Sequence, residues 1–309
     1  MNQTIASCFL IGAALALPAS RVMAQENSPT GIATFFAQSG AARETLWHAN
    51  ANFVYDAEGK VRFQGQSFGD SDAYNINFEA GTRIALNEKW SLPLGVKSDN
   101  YYLGHIPGVP ITANIHTLRL TAGVSYRMDE DWTITGTLSP SLYRFSHIED
   151  NTIGIAGGVL ATYRINPNLN LTLGLFVSPD SEVPVLPAVG VRWIIDDKLT
   201  LEAGLPRTRL TYHLCPDWSV YTGGDFSGTT FRTSQTLGTK IGQSQYNNAL
   251  ATYQDIRLGV GLGYQLPGGL RAEMEIGYSV YRDIAFKRIG DSARFDPAPY
   301  ARLGLGLRF

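Results

Sequence analysis

Cysteine is almost missing from this sequence: the 309 residues hold two, Cys8 and Cys215. Cys8 falls in an N-terminal segment that is expected to be removed, so Cys215 would stand alone and no intramolecular disulfide could form. Long apolar runs are missing as well. Beyond the N-terminus no stretch approaches 18 consecutive apolar residues, so any membrane-spanning role must fall to strands. Charge is scarce and balanced. Charged residues make up 17 % of the chain, against about 25 % in an ordinary soluble domain, and the formal net charge is −2. A polyanion-seeking field is thereby excluded, and nucleic-acid binding with it. Metal-ligand spacing is lacking too: there is no Cys pair, no His–x–His and no His–x3–His. No cofactor is expected. Helical periodicity is equally hard to find, for no long stretch repeats its apolar residues every 3.6 positions.

The N-terminus carries an address. CFLIGAALAL (Cys8–Leu17) is a short apolar run, followed by the small–x–small triplet Val22-Met23-Ala24. The run is far shorter than the ~20 residues of a transmembrane helix, so residues 1–24 read as a secretory signal cleaved after Ala24. No Lys or Arg precedes the apolar core. A lipoprotein box at Ile5-Ala6-Ser7-Cys8 is the competing reading, and it puts the apolar core on the wrong side of the cysteine. Residues 25–44 fit no strand; they read as a leader, or as a short plug tethered by Phe35 and Phe36.

What is abundant is a period of two. In AYNINFEAGTRIAL, Tyr74, Ile76, Phe78, Ala80, Ile84 and Leu86 share one face, and Glu79 and Arg83 lie on the other. HTLRLTAGVSYRM opposes Leu118, Leu120, Val124 and Tyr126 to Arg119, Thr121 and Arg127. DIRLGVGLGYQL opposes Leu258, Val260 and Leu262 to Arg257 and three glycines. LRAEMEIGYSV opposes Met274, Ile276 and Tyr278 to Glu273 and Glu275. The C-terminal PYARLGLGLRF opposes Leu303, Leu305, Leu307 and Phe309 to Arg302, Gly304, Gly306 and Arg308. A soluble sandwich also alternates, so the turns must decide. Tight polar turns sit at 87–89, 129–131, 166–168, 196–198, 216–217 and 267–269, with longer loops such as 104–114, 146–152 and 234–252 mostly between them. Short turns at one end and long loops at the other are the arrangement of an outer-membrane barrel, with the turns periplasmic.

Strands are expected near 45–56, 72–87, 90–104, 113–128, 132–145, 153–166, 169–179, 183–196, 199–206, 207–214, 218–232, 253–266, 270–285 and 298–309. The fold class is therefore all-β: a transmembrane antiparallel β-barrel over 45–309, of about fourteen strands, with twelve as the alternative. The short pair around Pro206 is its least regular part. Trp90, Trp132 and Trp218 each follow a tight turn, Trp193 precedes one and Trp47 opens the first strand. All five therefore fall on the periplasmic rim, where an indole keeps its ring in lipid and its N–H among headgroups. Tyr101, Tyr102, Tyr143, Tyr253, Tyr281 and Tyr300, at the opposite strand ends, are expected to form the outer girdle. The apolar last strand ending in Phe309 resembles the signal read by the outer-membrane insertion machinery.

At PAVGVRWIIDDKLTLEAGLPRTRLTYHL (187–214) and YTGGDFSGTTFR (221–232) the chain resembles a family of bacterial outer-membrane β-barrel proteins classed as a domain of unknown function. The residues that carry the resemblance are Pro187, Gly190, Arg192, Trp193, Pro206 and Tyr212, and it extends over 45–309. It implies a barrel and a compartment. It brings no activity and no catalytic residue.

The inward faces gather charge. Glu79, Arg83, Arg119, Arg127, Arg192, Arg257, Glu273, Glu275, Arg302 and Arg308 are the candidate lumen-lining residues, with Glu202 beside them. Glu273 and Glu275 have the spacing of paired catalytic carboxylates. A ladder with Arg257 and Arg302 as counter-charges is the simpler reading. Lipid hydrolysis would need a serine and a histidine together. Among His48, His105, His116, His147 and His213, only His147 adjoins a serine, Ser146, and neighbours on a strand point to opposite faces. The glycine runs at 259–263 and 304–306 do not lead from a strand into a helix, so they are not phosphate loops. No enzyme is expected. The functional expectation is a narrow passive channel for small solutes with a slight anion preference, since inward arginines outnumber inward glutamates. A sealed barrel that presents its 234–252 loop to a partner is the alternative.

Overall fold

In the computed structural model, residues 46–143, 152–181 and 184–308 are described. The expected signal and leader, the Ser146–His147 pair and Phe309 lie outside the described residues. The alternating segments form β1 (Leu46–Phe63), β2 (Gln66–Ala85), β3 (Trp90–Leu103), β4 (Asn114–Arg127), β5 (Trp132–Leu142), β6 (Ile153–Asn166), β7 (Leu169–Val177) and β8 (Val185–Ile194). They continue as β9 (Leu199–Gly204), β10 (Arg207–His213), β11 (Trp218–Arg232), β12 (Leu250–Gln265), β13 (Leu270–Phe286), β14 (Asp291–Phe295) and β15 (Ala298–Arg308). Helix is confined, among the described residues, to short turns such as α1 (Leu237–Lys240). Each strand pairs antiparallel with its sequence neighbour, except that β14 and β15 do not pair with each other: both pair with β13 and with β1, which closes the sheet.

β14 and β15 are two halves of one stave. Both lie between β13 and β1, β14 at the extracellular end and β15 at the periplasmic end. The result is a closed antiparallel barrel of fourteen strands. The short pair around Pro206 is a genuine hairpin, and Leu205 and Pro206 form its turn. The period of two sorts the faces. Ile276 and Leu305 are 65 % and 55 % exposed, while Glu275 and Arg302 are 8 % and 7 %. So much exposed aliphatic surface belongs in hydrocarbon, and the barrel is an outer-membrane one.

The periplasmic turns repeat one device. Asn87 Oδ1 accepts hydrogen bonds from the backbone N–H of Lys89 and Trp90, and Asp129 Oδ1 does so from Asp131 and Trp132. Asp196 Oδ1 serves Lys198 and Leu199 in the same way. A short side-chain acceptor thus replaces the turn's missing backbone partners. Each tryptophan that follows packs on a cross-strand tyrosine: Trp90 on Tyr126, Trp132 on Tyr163 and Trp218 on Tyr264, at 4.5, 4.7 and 4.5 Å between ring centroids.

The extracellular end departs from expectation in three ways. β1 and β2 run on past 56 and 72 to a turn at Gln64–Gly65. A register shift between Asp56 and Gly59 turns Val61 and Phe63 inward, so an even-numbered inner face becomes odd-numbered. The 104–114 segment, read as a polar loop, buries Ile106, Val109 and Ile111. The expected tyrosine girdle is overturned in part. Tyr101, Tyr143, Tyr253 and Tyr300 are buried, because strand parity points them into the barrel; Tyr55, Tyr74 and Tyr278 are exposed outside. Phe63, Tyr101, Ile115, Phe231, Tyr253, Phe286 and Phe295 pack with the 106–111 aliphatics and Tyr246 into one apolar cap.

Ile276→Arg is expected to cost about 2–4 kcal/mol, the figure for Arg near the bilayer midplane. Denaturant titration of the protein in lipid vesicles measures it. A negligible loss would mean that β13 does not cross the hydrocarbon at that depth.

Candidate functional site: the barrel lumen

Inward positions fill the barrel with polar side chains, and their partners come from strands on different sides. Arg257 on β12, 2 % exposed, donates from Nη2 to Asp56 Oδ2 on β1 at 2.9 Å and also bridges Asp255. Arg302 on β15 reaches Asp225 on β11 at 3.2 Å and bonds Glu275 on β13. Glu273 is held by a bidentate pair from Arg209 at 2.8 and 3.0 Å, and Arg271 approaches it at 2.9 Å. Arg207 lies 3.9 and 4.0 Å from Glu273 and Glu275. Tyr300 donates to Glu275 Oε1, and the Arg209 guanidinium stacks 3.6 Å from the centre of the Tyr221 ring. Inward glycines make room for these rings. A Cβ on Gly261 would lie 2.2 Å from Tyr221, and one on Gly259 2.4 Å from the Tyr300 hydroxyl. One cavity of about 10 Å³, room for one water, lies between Arg207, Arg209, Tyr221, Asp225, Glu275 and Arg302.

The glutamate ladder is therefore assembled differently from the sequence expectation. Arg302 does pair with Glu275, directly opposite it in the β13–β15 register. Arg257 does not serve that ladder. It lies opposite Ser279, further up the strand, where Asp56 and Asp255 take it. Asp56, Asp225, Asp255, Arg207 and Arg209, and Lys97 with Asp99 on β3, are among the lumen residues that sequence reasoning passed over. Parity alone finds Asp225 and Asp255, two residues from inward Gly223 and Arg257; nothing local names their partners.

The wall formed by β2 to β7 has another character. Hydroxyls pair across it: Ser125 with Thr135 at 2.9 Å, Thr121 with Ser139 at 3.0 Å and Thr162 with Thr172 at 3.1 Å. Arg119 donates to Ser141 Oγ at 3.2 Å. Arg83 is buried and feels the like charge of Arg127. Glu79 meets His48 at 3.5 Å, and Arg192 meets Glu202 at 3.5 Å nearer the periplasmic rim. Arg308 is exposed at the end of β15. His116 bonds Asn100 Oδ1 at 2.8 Å and packs edge-on to Tyr102. Among the described residues no group of three His, Cys, Asp or Glu could hold a metal, and no helix is long and apolar enough to cross a membrane. Above the lumen, outside the strands, Tyr246 bonds the Asp291 carboxylate. Its burial and that carboxylate push the phenol up to about 12, so it stays a neutral donor at any physiological pH.

Arg257→Met is expected to destabilise the barrel by about 3–5 kcal/mol, because Asp56 and Asp255 would face each other with their counter-charge gone. Adding Asp56→Asn and Asp255→Asn should recover much of that loss in the same unfolding assay. Additive losses instead would mean that the three groups are not coupled.

The family profile described as "Domain of unknown function (DUF6268)" matches residues 107–309. No curated protein matches the chain. Among solved structures, a Pseudomonas aeruginosa FadL homologue is similar at 9 % identity and a TM-score of 0.47, over 92 % of this chain and 94 % of that one. An outer-membrane channel from Pseudomonas putida F1 shows 9 % identity and a TM-score of 0.47 over 88 % and 98 %. The Pseudomonas putida toluene transporter TodX shows 11 % identity and a TM-score of 0.43 over 92 % of both.

Proposed function

This chain belongs to that domain-of-unknown-function family of outer-membrane β-barrels, and on that premise we propose that it is a narrow passive channel for small hydrophilic solutes with a slight preference for anions. The observation that carries the reading is the division of the lumen into two unlike walls. Around β10 to β15 Arg207, Arg209, Arg257, Arg271 and Arg302 are each met by carboxylates, which makes a constriction. Along β2 to β7 the lining is hydroxyl-rich; its cations are Arg83, Lys97, Arg119 and Arg127, and its carboxylates are Glu79 and Asp99, the latter paired with Lys97 at 3.1 Å. Hydroxyls can exchange bonds with a passing hydrated solute at little cost, and guanidinium groups in a low-dielectric bore favour anions over cations. Contact with outer-membrane lipid through the apolar belt, and handling by the insertion machinery through β15 and Phe309, belong to the same reading.

The apolar cap favours a second reading, a sealed barrel that works through its external loops. Conductance separates the two. In a planar bilayer with a salt gradient, discrete current steps and an anion-biased reversal potential are expected. Arg83→Ser with Arg127→Ser should move that potential toward zero and leave the protein folded. Cation preference in the unaltered protein would sink the anion assignment, and a silent but folded barrel would favour the sealed one.

A further inference from the structure

One charge in the constriction is left over. Four arginines, Arg207, Arg209, Arg271 and Arg302, share three carboxylates, Asp225, Glu273 and Glu275. The charged groups around them balance among themselves. Arg192 pairs with Glu202. In the tier above, Asp56 and Asp255 face Arg257 and Arg282, the latter opposite Asp255 in the β12–β13 register. One positive charge in the constriction therefore has no counter-charge of its own.

The distances show which one it is. Glu273 gives both oxygens to Arg209 and one of them also to Arg271. Glu275 is taken by Tyr300 and Arg302. Asp225 stands directly opposite Arg207 in the β10–β11 register, yet its Oδ2 goes to Arg302 at 3.2 Å. Arg207 is left with Glu273 and Glu275 at 3.9 and 4.0 Å, beyond hydrogen-bond reach. The side chains of Arg209 and Arg302 are each 8 % exposed, and that of Arg207 is 40 % exposed. Strand parity points Arg207 inward with Arg209, so its open edge faces the bore. The water-sized cavity lies beside it, and in that cavity Asp225 Oδ1 is buried without a hydrogen-bond partner. Gly223, the inward residue between Tyr221 and Asp225, also lines this cavity. A Cβ there would lie 2.1 Å from the Thr208 carbonyl, so no side chain can stand on that side to cover the guanidinium.

The geometry points to a binding site for one small monocarboxylate at Arg207, where the guanidinium holds a permeating anion on its way through the constriction. The planar fork of arginine matches a carboxylate with two parallel N–H···O bonds. A single negative charge brings the cluster to neutrality. A dianion such as hydrogen phosphate would set a second charge against Asp225 and Glu275, with no cation left to meet it. Exposure keeps the pairing weak, and weak binding lets the solute leave, as passage requires. Arg83, Arg119 and Arg127 favour anions by their field; Arg207 adds a contact that discriminates among them. This deepens the channel reading above and rests on it for a role in transport.

The Arg207 side chain makes no hydrogen bond among the described residues, so Arg207→Gln is expected to fold as the unaltered protein does. Thermal unfolding in detergent checks that. Saturation-transfer NMR of sodium acetate with the refolded protein reads the site, with empty micelles as the blank. Acetate should receive saturation from the unaltered barrel, and Arg207→Gln should lower the transfer at least fivefold. Arg207→Lys keeps the charge without the fork and should fall between the two. Equal transfer from the unaltered protein and Arg207→Gln, or none above the blank from the folded unaltered protein, overturns the site. Binding by Arg207→Lys as strong as by the unaltered protein overturns the carboxylate fork. Current steps in the bilayer would leave the channel standing in either case. Arg207-dependent binding of acetate by a barrel that is silent in the bilayer keeps the site and overturns the channel.

Discussion

Hydrocarbon offers no hydrogen bonds, and from that constraint the rest of this structure follows. Every N–H and C=O at membrane depth must find a partner within the chain, and a sheet can do this only by closing on itself. Here closure is the pairing of β1 with β15 from His48↔Arg308 to Asp56↔Tyr300. The leucine and glycine alternation at the C-terminus is the sequence form of that seam. Leu303 and Leu305 go to lipid, while the glycines opposite admit Asn50 and Asn52.

Closure in lipid also inverts the usual distribution of polarity. The outside must be apolar, so charge has only the interior left, and there the side chains must neutralise one another. Arg257, Arg302 and Arg209 meet carboxylates from β1, β11, β12 and β13, so the network ties together strands that share no ladder. Such pairs cost desolvation, and they hold the bore to a given width more than they add stability. The wall of β2 to β7 carries fewer such pairs, chiefly Lys97 with Asp99, and sets hydroxyls between them. A solute would find its exchangeable partners there.

The extracellular end obeys the ordinary rule of soluble proteins. Past the bilayer, β1 and β2 continue, a bulge reverses their faces, and an apolar core forms inside the barrel. The short β9–β10 hairpin ends at this level, and β11, still paired with β12 to Arg232, also reaches β4 across the lumen, where Thr229 and Thr117 share a hydrogen bond of 2.9 Å. β11 thereby stays in the wall over its whole length and adds Phe231 to the apolar cap. Along that stretch the hydroxyls of Ser227 and Thr230 are buried without a hydrogen-bond partner.

The sequence by itself determined the compartment's physics: the period of two, the lipid face, the periplasmic turns with their tryptophans and a count of about fourteen staves, with twelve left open. Those are local properties, since parity is fixed by the pleat and a turn by three or four residues. It also showed which charges face inward along any uninterrupted strand. Only the tertiary structure decided the rest. Whether Arg257 meets Glu275 or Asp56 depends on register across several strands, and whether Val61 faces in or out depends on a bulge two residues earlier. Tyr101 and Tyr253 were read by height alone as girdle residues, although parity already pointed them inward. The crossing of β11 to β4 joins residues more than a hundred positions apart. No residue in β11 by itself records that contact.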